Sequence, residues 1–225
     1  MLLIDGDIIC YRSLHSPQAE SMADVCNIAD WTIKNIVANA DPVVKNYKVF
    51  LTGSNNFRKD IAVTAPYKGQ RPEKPEGLED IRAHLLDWHP SVLTEGEEAD
   101  DAIAIEATQG GSSYIICTID KDFDQVPGWH YNFVKDKRYC VSEREGLFFF
   151  YTQILTGDRI DNIIGVQGIG PVKAEKALKD CKDENAMFKV CVDMMGYDRA
   201  VENGRLLWLR RHNGQIWEPP ASNAA

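Results

Sequence analysis

Glu97-Glu98-Ala99-Asp100-Asp101 puts four carboxylates into five residues, and the apolar run Ala102-Ile103-Ala104-Ile105 follows at once. A merely solvated acidic face does not run straight into buried helix. Further on, Asp120-Lys121-Asp122 closes the strand-like run Tyr114-Ile115-Ile116-Cys117-Thr118-Ile119. Carboxylates crowded at the mouth of an apolar core repel one another by several kcal/mol unless they are protonated or hold cations. Hard divalent cations with oxygen ligands answer that repulsion.

Working outward, Leu2-Leu3-Ile4 reads as a buried strand ending in Asp5-Gly6-Asp7. Met22, Val25, Ile28, Ala29, Ile33, Ile36 and Val37 fit a 3.6-residue period and predict a helix over 21–40, stopped by Asp41-Pro42. Tyr47 to Gly53 predicts a second strand, 67–75 a loop, 78–88 an amphipathic helix, and Val92-Leu93-Thr94 a short strand. The acidic helix runs from Glu97 to about Thr108. Two strands are expected at 129–134 and 138–141, then a helix beginning at Phe148. Alternating strands and helices imply a mostly parallel sheet flanked by helices, an α/β core over 1–150. Residues 151–225 read as helical, with a strand signal only at Gln215-Ile216-Trp217 and a frayed Ser222–Ala225.

At 225 residues the chain is long enough for one large domain or a core with a small appendage. Its net charge of −9 does not advertise nucleic-acid binding, but acids gathered on cations leave the basic residues free to form a separate surface. The six cysteines show no CxxC pair and read as reduced thiols of a cytoplasmic protein. The chain opens without a signal-peptide pattern, and no apolar run approaches membrane-spanning length. A monomer is expected.

Four separate segments each offer at least two acids: Asp5 and Asp7 behind the first strand, Glu98 with Asp100 and Asp101, Asp120 and Asp122, and Asp158 and Asp161. One Glu-x-Asp-Asp group more often marks a helix start than a metal site; four such groups at strand ends and helix starts reverse those odds. This is the ligand supply of a two-metal phosphodiester-cleaving site. No His/Cys cluster favours zinc and the five histidines are dispersed, so Mg²⁺ or Mn²⁺ is expected. Asp124 is read as a solvated or capping residue, and Glu97 as either an outer acid or a surface residue.

Gly168-Ile169-Gly170-Pro171 predicts a tight turn with proline at a first helical position, whose free N–H groups suit a phosphate. Lys173, Lys176 and Lys179 line one face of the helix that follows. Any protein can carry a lysine-rich solvent face; beside Asp158 and Asp161, backbone-phosphate binding is the stronger reading. Tyr67-Lys68-Gly69-Gln70-Arg71 offers two loop cations to a scissile phosphate. Tyr11, followed by Arg12, is either a base-stacking contact or a core tyrosine.

Together these motifs resemble the flap endonuclease/5′-3′ exonuclease family, which includes phage 5′-nucleases and the 5′-nuclease domain of bacterial DNA polymerase I. The residues that carry the likeness are Ile4-Asp5-Gly6, Tyr67 to Arg71, Glu98 to Asp101, Thr118 to Phe123, and Thr156 to Asn162 running into Gly165-Val166-x-Gly168-Ile169-Gly170. The compact chain and its ending Arg205-Leu206-Leu207-Trp208 look most like the stand-alone phage enzymes. The resemblance implies a PIN-like core and a helix-two-turn-helix (or H3TH) DNA-binding element at 158–180 that in the family often binds K⁺. It implies that Asp5, Glu98, Asp100, Asp101, Asp120, Asp122, Asp158 and Asp161 hold two Mg²⁺ ions, with Asp120 central to catalysis. Lys68 and Arg71 would contact the scissile phosphate. Tyr11, Arg12, Tyr67, Gly168, Gly170, Lys173 and Lys176 would contact DNA, as a duplex with a 5′ end, flap or nick, or an RNA–DNA hybrid.

Two departures stand out. Gly53 occupies the place of a metal-binding aspartate at the end of the second strand, with Asn55 or Asn56 as weak substitutes. The segment from Arg71 to Glu98 looks too short for a threading arch. The expected activity is 5′-3′ exonuclease, with flap or RNA-primer removal. The rivals are a DNA-binding module with weakened catalysis and a PIN-type ribonuclease.

Overall fold

The computed structural model describes residues 1–221; the expected fray at Ser222–Ala225 lies outside them. β1 (Leu2–Asp5) runs into α1 (Gly6–Leu14) and then α2 (Met22–Asn39). β2 (Tyr47–Ser54) is followed by one turn of helix, α3 (Arg58–Ile61), and by α4 (Leu78–Trp88). β3 (Ser91–Glu95), α5 (Ala99–Gly110) and β4 (Ile115–Cys117) complete the parallel part, which continues into β5 (Gly128–Asn132). β6 (Lys137–Val141) returns antiparallel on β5, giving the strand order β3-β2-β1-β4-β5-β6.

Both faces of the sheet are covered, which is why β1 is apolar without alternation. Leu2, Ile4, Val49 and Leu51 pack with α1, α2 and α4. Leu3, Phe50 and Ile116 pack with Ala99, Ile103, Ala104 and Ala107 of α5. The parallel strands release Asp5, Gly53, and the Thr118–Asp120 segment at one edge of the sheet, where α5 also begins. In open α/β sheets that carboxyl edge is where ligands bind.

The C-terminal region packs around α6 (Glu143–Thr156), which starts at a Ser142–Glu145 capping box and not at Phe148. The expected boundary near residue 150 therefore falls inside one continuous helix. A two-strand hairpin follows, β7 (Gly157–Asp158) with β8 (Ile163–Ile164), then α7 (Pro171–Leu178), α8 (Glu184–Met195) and α9 (Tyr197–Leu207). Residues 215–217 form no strand. Instead Trp217 is buried against Gly204, where a Cβ would come within 2.4 Å of its ring, and meets Phe150 and Phe188 edge-on. The Arg71–Glu98 segment forms no free-standing arch: Leu78, Ile81 and Leu85 bury α4 in the core.

Candidate active site

Asp5 ends β1 and caps α1, accepting from the Ile8 N–H at 3.1 Å and the Thr118 hydroxyl at 2.8 Å. Burial, then the neighbouring Asp7 carboxylate, pushes it up to about 7. Asp120 caps a 3₁₀ turn by accepting from the Asp122 N–H at 2.9 Å, and burial raises its pKa, with Asp161 and Asp158 adding to the rise. Asp122 accepts from Gln153 of α6 at 2.8 Å and is pushed up to about 7 by burial and Asp120. Asp100 is raised well above the usual range by burial, Asp5, Glu98 and Asp120. Acids raised by burial and by one another's charge would be relieved by a bound cation.

These acids line two adjoining cavities. One, of about 260 Å³, is walled by Asp5, Asp7 and Glu98 together with Tyr11, Gly53 and Arg82. The other, of about 280 Å³, is walled by Asp122, Asp158 and Asp161. Lys68, Arg71, Asp100 and Asp120 belong to both. The shared wall thus carries two acids and two cations, with three further acids on either side.

The loop bearing the cations is held rigidly. Lys68 has φ +56° and Asn162 has φ +60°, both left-handed and both non-glycine. The Lys68 N–H donates to the Asp161 carbonyl at 2.9 Å, and Asn162 Nδ2 donates to the Pro66 carbonyl at 2.9 Å. Lys68 Nζ pairs with Glu98 Oε1, and Arg71 donates to Asp161 Oδ1 at 2.7 Å. Burial opposes ionisation of Glu98, yet Lys68 and Arg58 outweigh it and hold the carboxyl below its usual range.

Two expectations change. Asp101 lines neither cavity and is fully buried, its carboxylate gripped by Arg58 at 2.5 and 2.8 Å and by the Arg210 N–H at 3.1 Å. It is a structural acid and has no room for a metal. Tyr67 is 6% exposed, and its hydroxyl sits 2.8 Å from Glu98 and 2.9 Å from Asp161. With one proton it serves one carboxylate at a time, so it braces acids and does not face DNA.

Gly53 lines the first cavity where an acid was expected, but a Cβ there would lie 1.9 Å from the Thr94 carbonyl. Asn55 and Asn56 do not compensate: Asn55 donates to Glu95 and Asn56 accepts from the Arg58 N–H. Asp7, which accepts from the Thr52 N–H at 3.0 Å, is the additional carboxylate in that cavity.

Tyr11 is 40% exposed and lines the first cavity; Arg12 is exposed and lines neither. Gly168 (φ +76°) and Gly170 lie in the turn before α7, with open space where a Cβ would be. Lys173 and Lys176 are exposed, and Lys173 Nζ reaches back to the Gly168 carbonyl at 2.8 Å. Glu97 pairs with Arg210 and Asp124 accepts from Tyr139, so both are structural. Arg58 lacked any local sequence signal; its role comes from burial against Asp101, 43 residues on in the chain.

The sequence model for the 5′-3′ exonuclease N-terminal resolvase-like domain matches residues 1–148. The chain belongs to the 5′-3′ exonuclease family. Among relatives of the 5′-3′ exonuclease family, the flap endonuclease Xni of Shewanella piezotolerans is 35% identical over 199 residues, covering 79% of this chain and 75% of that protein. DNA polymerase I of Rhizobium leguminosarum is 31% identical over 222 residues, 84% of this chain. The chain spans only 21% of that polymerase's length. The T5 D15 protein, crystallised with metal ions, shares the fold at a TM-score of 0.74 with 17% identity, covering 92% of this chain and 88% of that one.

Proposed function

We propose that this chain is a metal-dependent 5′ nuclease that hydrolyses DNA phosphodiester bonds, a 5′-3′ exonuclease with flap-cleaving capacity. The observation that carries the reading is the wall of Asp100, Asp120, Lys68 and Arg71 shared by two acid-lined cavities. An all-oxygen donor set in which burial and neighbouring carboxylates raise Asp5, Asp7, Asp100, Asp120 and Asp122 fits hard divalent cations. Asp5, Asp7 and Glu98 would hold one ion and Asp122, Asp158 and Asp161 the other, with Asp100 and Asp120 between them. Mg²⁺ is the expected occupant and Mn²⁺ the substitute. When bound, such a pair activates water and neutralises charge on the leaving oxygen.

The protein's own groups complete the chemistry. Lys68 and Arg71 lie on the shared wall, where a phosphate between the cavities would sit, and donate to its non-bridging oxygens as charge builds. Tyr67 and Arg58 fix Glu98, so the acids need little rearrangement as the reaction proceeds. Tyr11, half-exposed at the cavity mouth, offers a ring to the terminal base. The Gly168–Gly170 turn and α7 lysines are the proposed H3TH surface, holding the duplex through phosphates, with K⁺ as its proposed companion ion. Support for DNA as substrate comes from a complex of the T5 D15 flap endonuclease with DNA and metal ions, which shares this fold.

The test sets a 5′-labelled flap, a recessed duplex and the matching RNA–DNA hybrid side by side and reads product lengths. Mg²⁺-dependent release from the 5′ end of DNA supports the reading. Cleavage of single-stranded RNA alone would replace it with a ribonuclease, and DNA binding without cleavage would replace it with a binding module.

A further inference from the structure

The five histidines look dispersed in sequence, yet the fold brings two of them onto one carboxylate. His84 Nε2, on α4, lies 2.8 Å from Asp30 Oδ1, on α2; His89 Nε2, at the C-cap of α4, lies 3.0 Å from the same oxygen. The three ligand atoms fall within 4.8 Å of one another. His84 and His89 keep 18% and 11% of their side-chain surface and Asp30 43%, so the cluster is sheltered with water access on the acid side.

We propose that Asp30, His84 and His89 form a transition-metal site that takes a borderline dication such as Zn²⁺, separate from the oxygen-lined cavities. Two imidazoles and a carboxylate are a donor set for Zn²⁺, Ni²⁺ or Co²⁺, and not for Mg²⁺. With metal–ligand bonds of about 2.0–2.2 Å, the ligand atoms need to spread only to roughly 3.3 Å apart, a short move from the spacing present. Water takes the remaining position.

The outer contacts suit both states. His89 Nδ1 lies 3.1 Å from the Tyr47 hydroxyl. A phenol donates or accepts. It can serve the tautomer that donates Nε2–H to Asp30, and equally the one whose Nε2 lone pair binds an ion while Nδ1–H donates outward, the usual arrangement for a metal-bound histidine. Trp88 covers His84, ring centroids 6.2 Å apart and planes 29° from parallel.

The site is remote from the acid cavities. Tyr47 starts β2, whose other end carries Gly53; Leu78 starts α4, whose other end carries His89. Leu78 and Gly53 line the first acid cavity, so the two sites lie at opposite ends of these elements, roughly 16 Å along α4. An ion here ties α4 to α2 and does not compete with the acids.

The experiment compares the intact chain with a His84→Gln/His89→Gln double variant, whose amides still donate to Asp30. Zn²⁺ is titrated calorimetrically in excess Mg²⁺, and retained metal is counted after desalting. The double variant is expected to hold one Zn²⁺ fewer than wild type, with Mg²⁺-dependent cleavage unchanged. Tyr47→Phe is expected to weaken that ion roughly 10- to 100-fold. Equal Zn²⁺ stoichiometry in wild type and double variant overturns the proposal. Wild type loaded with one equivalent of Co²⁺ in excess Mg²⁺ gives a second readout that needs no variant. Paramagnetically shifted imidazole resonances are expected, and their absence overturns the proposal equally.

Discussion

Replacing Arg58 with methionine removes the guanidinium that pairs directly with the buried Asp101. The guanidinium donates to Asp101 at 2.5 and 2.8 Å, to the Leu206 carbonyl at 2.8 Å and to the Trp208 carbonyl at 2.7 Å. Methionine fills much of the volume but leaves Asp101 with only the N–H groups of Arg210 and Glu98, at 3.1 and 3.3 Å. Breaking one side of a buried pair costs about 3–5 kcal/mol, and each newly orphaned carbonyl adds about 1–3 kcal/mol where water cannot reach it. Against a domain stability of about 5–15 kcal/mol, the pair's contribution alone, about 4 kcal/mol, is a large share. For a chain of this size its loss lowers Tm by roughly 8–16 °C. Urea and thermal melts followed by tryptophan fluorescence in metal-free buffer measure this. Asp101→Asn is the companion variant, expected to destabilise comparably and to leave Mg²⁺ affinity close to wild type. A loss below about 1 kcal/mol in Arg58→Met, the size of an exposed pair, refutes the structural role. So does an Asp101→Asn protein that melts normally but no longer binds Mg²⁺.

Restoring an acid by Gly53→Asp is expected to fail, because its Cβ collides with the Thr94 carbonyl at 1.9 Å. Melts should show a loss of about 1–3 kcal/mol with no gain in Mg²⁺-dependent turnover; faster turnover at unchanged stability would contradict this. In EDTA the raised acids set the pH dependence. Asp5 and Asp122 are pushed up to about 7 by burial and by Asp7 and Asp120 respectively, above an unfolded value of about 3.9. Their protonated forms favour the fold at low pH, and that contribution is lost as pH rises through about 7. Tm in EDTA should therefore fall between pH about 4 and 7, and Mg²⁺ or Asp5→Asn/Asp122→Asn should flatten the fall; a Tm rising over that window contradicts it. Lys68→Ala should lower single-turnover cleavage about 100-fold or more while DNA affinity changes little; an unchanged rate removes Lys68 from the reaction.

The periodic parts of the chain were legible. α2 and α4 appear where the 3.6-residue spacing puts them, because one apolar stripe faces the sheet. The order of acid groups along the chain also survives in the fold, since parallel strands deliver their ends to one edge. The start of α6 carried a usable signal, the capping box Ser142-Glu143-Arg144-Glu145, overshadowed by the louder apolar run at 148–150. Asp101 was not legible. It differs from Asp100 by one position on the helix, which turns it from the cavity towards Arg58, 43 residues away. Nothing local to Phe57-Arg58-Lys59 tells the buried arginine from its exposed neighbour. The same holds for Asp30 and the two histidines, whose pairing depends on how α2 and α4 cross.

Cleavage of a 5′-labelled flap by wild type and by Asp120→Ala, each with Mg²⁺ and with EDTA, bears most directly on the shared acid wall. Wild type should cut only with Mg²⁺. Asp120→Ala should fall to background while still binding the flap, since its lysines and the Gly168–Gly170 turn are intact. Full Mg²⁺-dependent cleavage by Asp120→Ala would contradict the placement of catalysis between the two cavities.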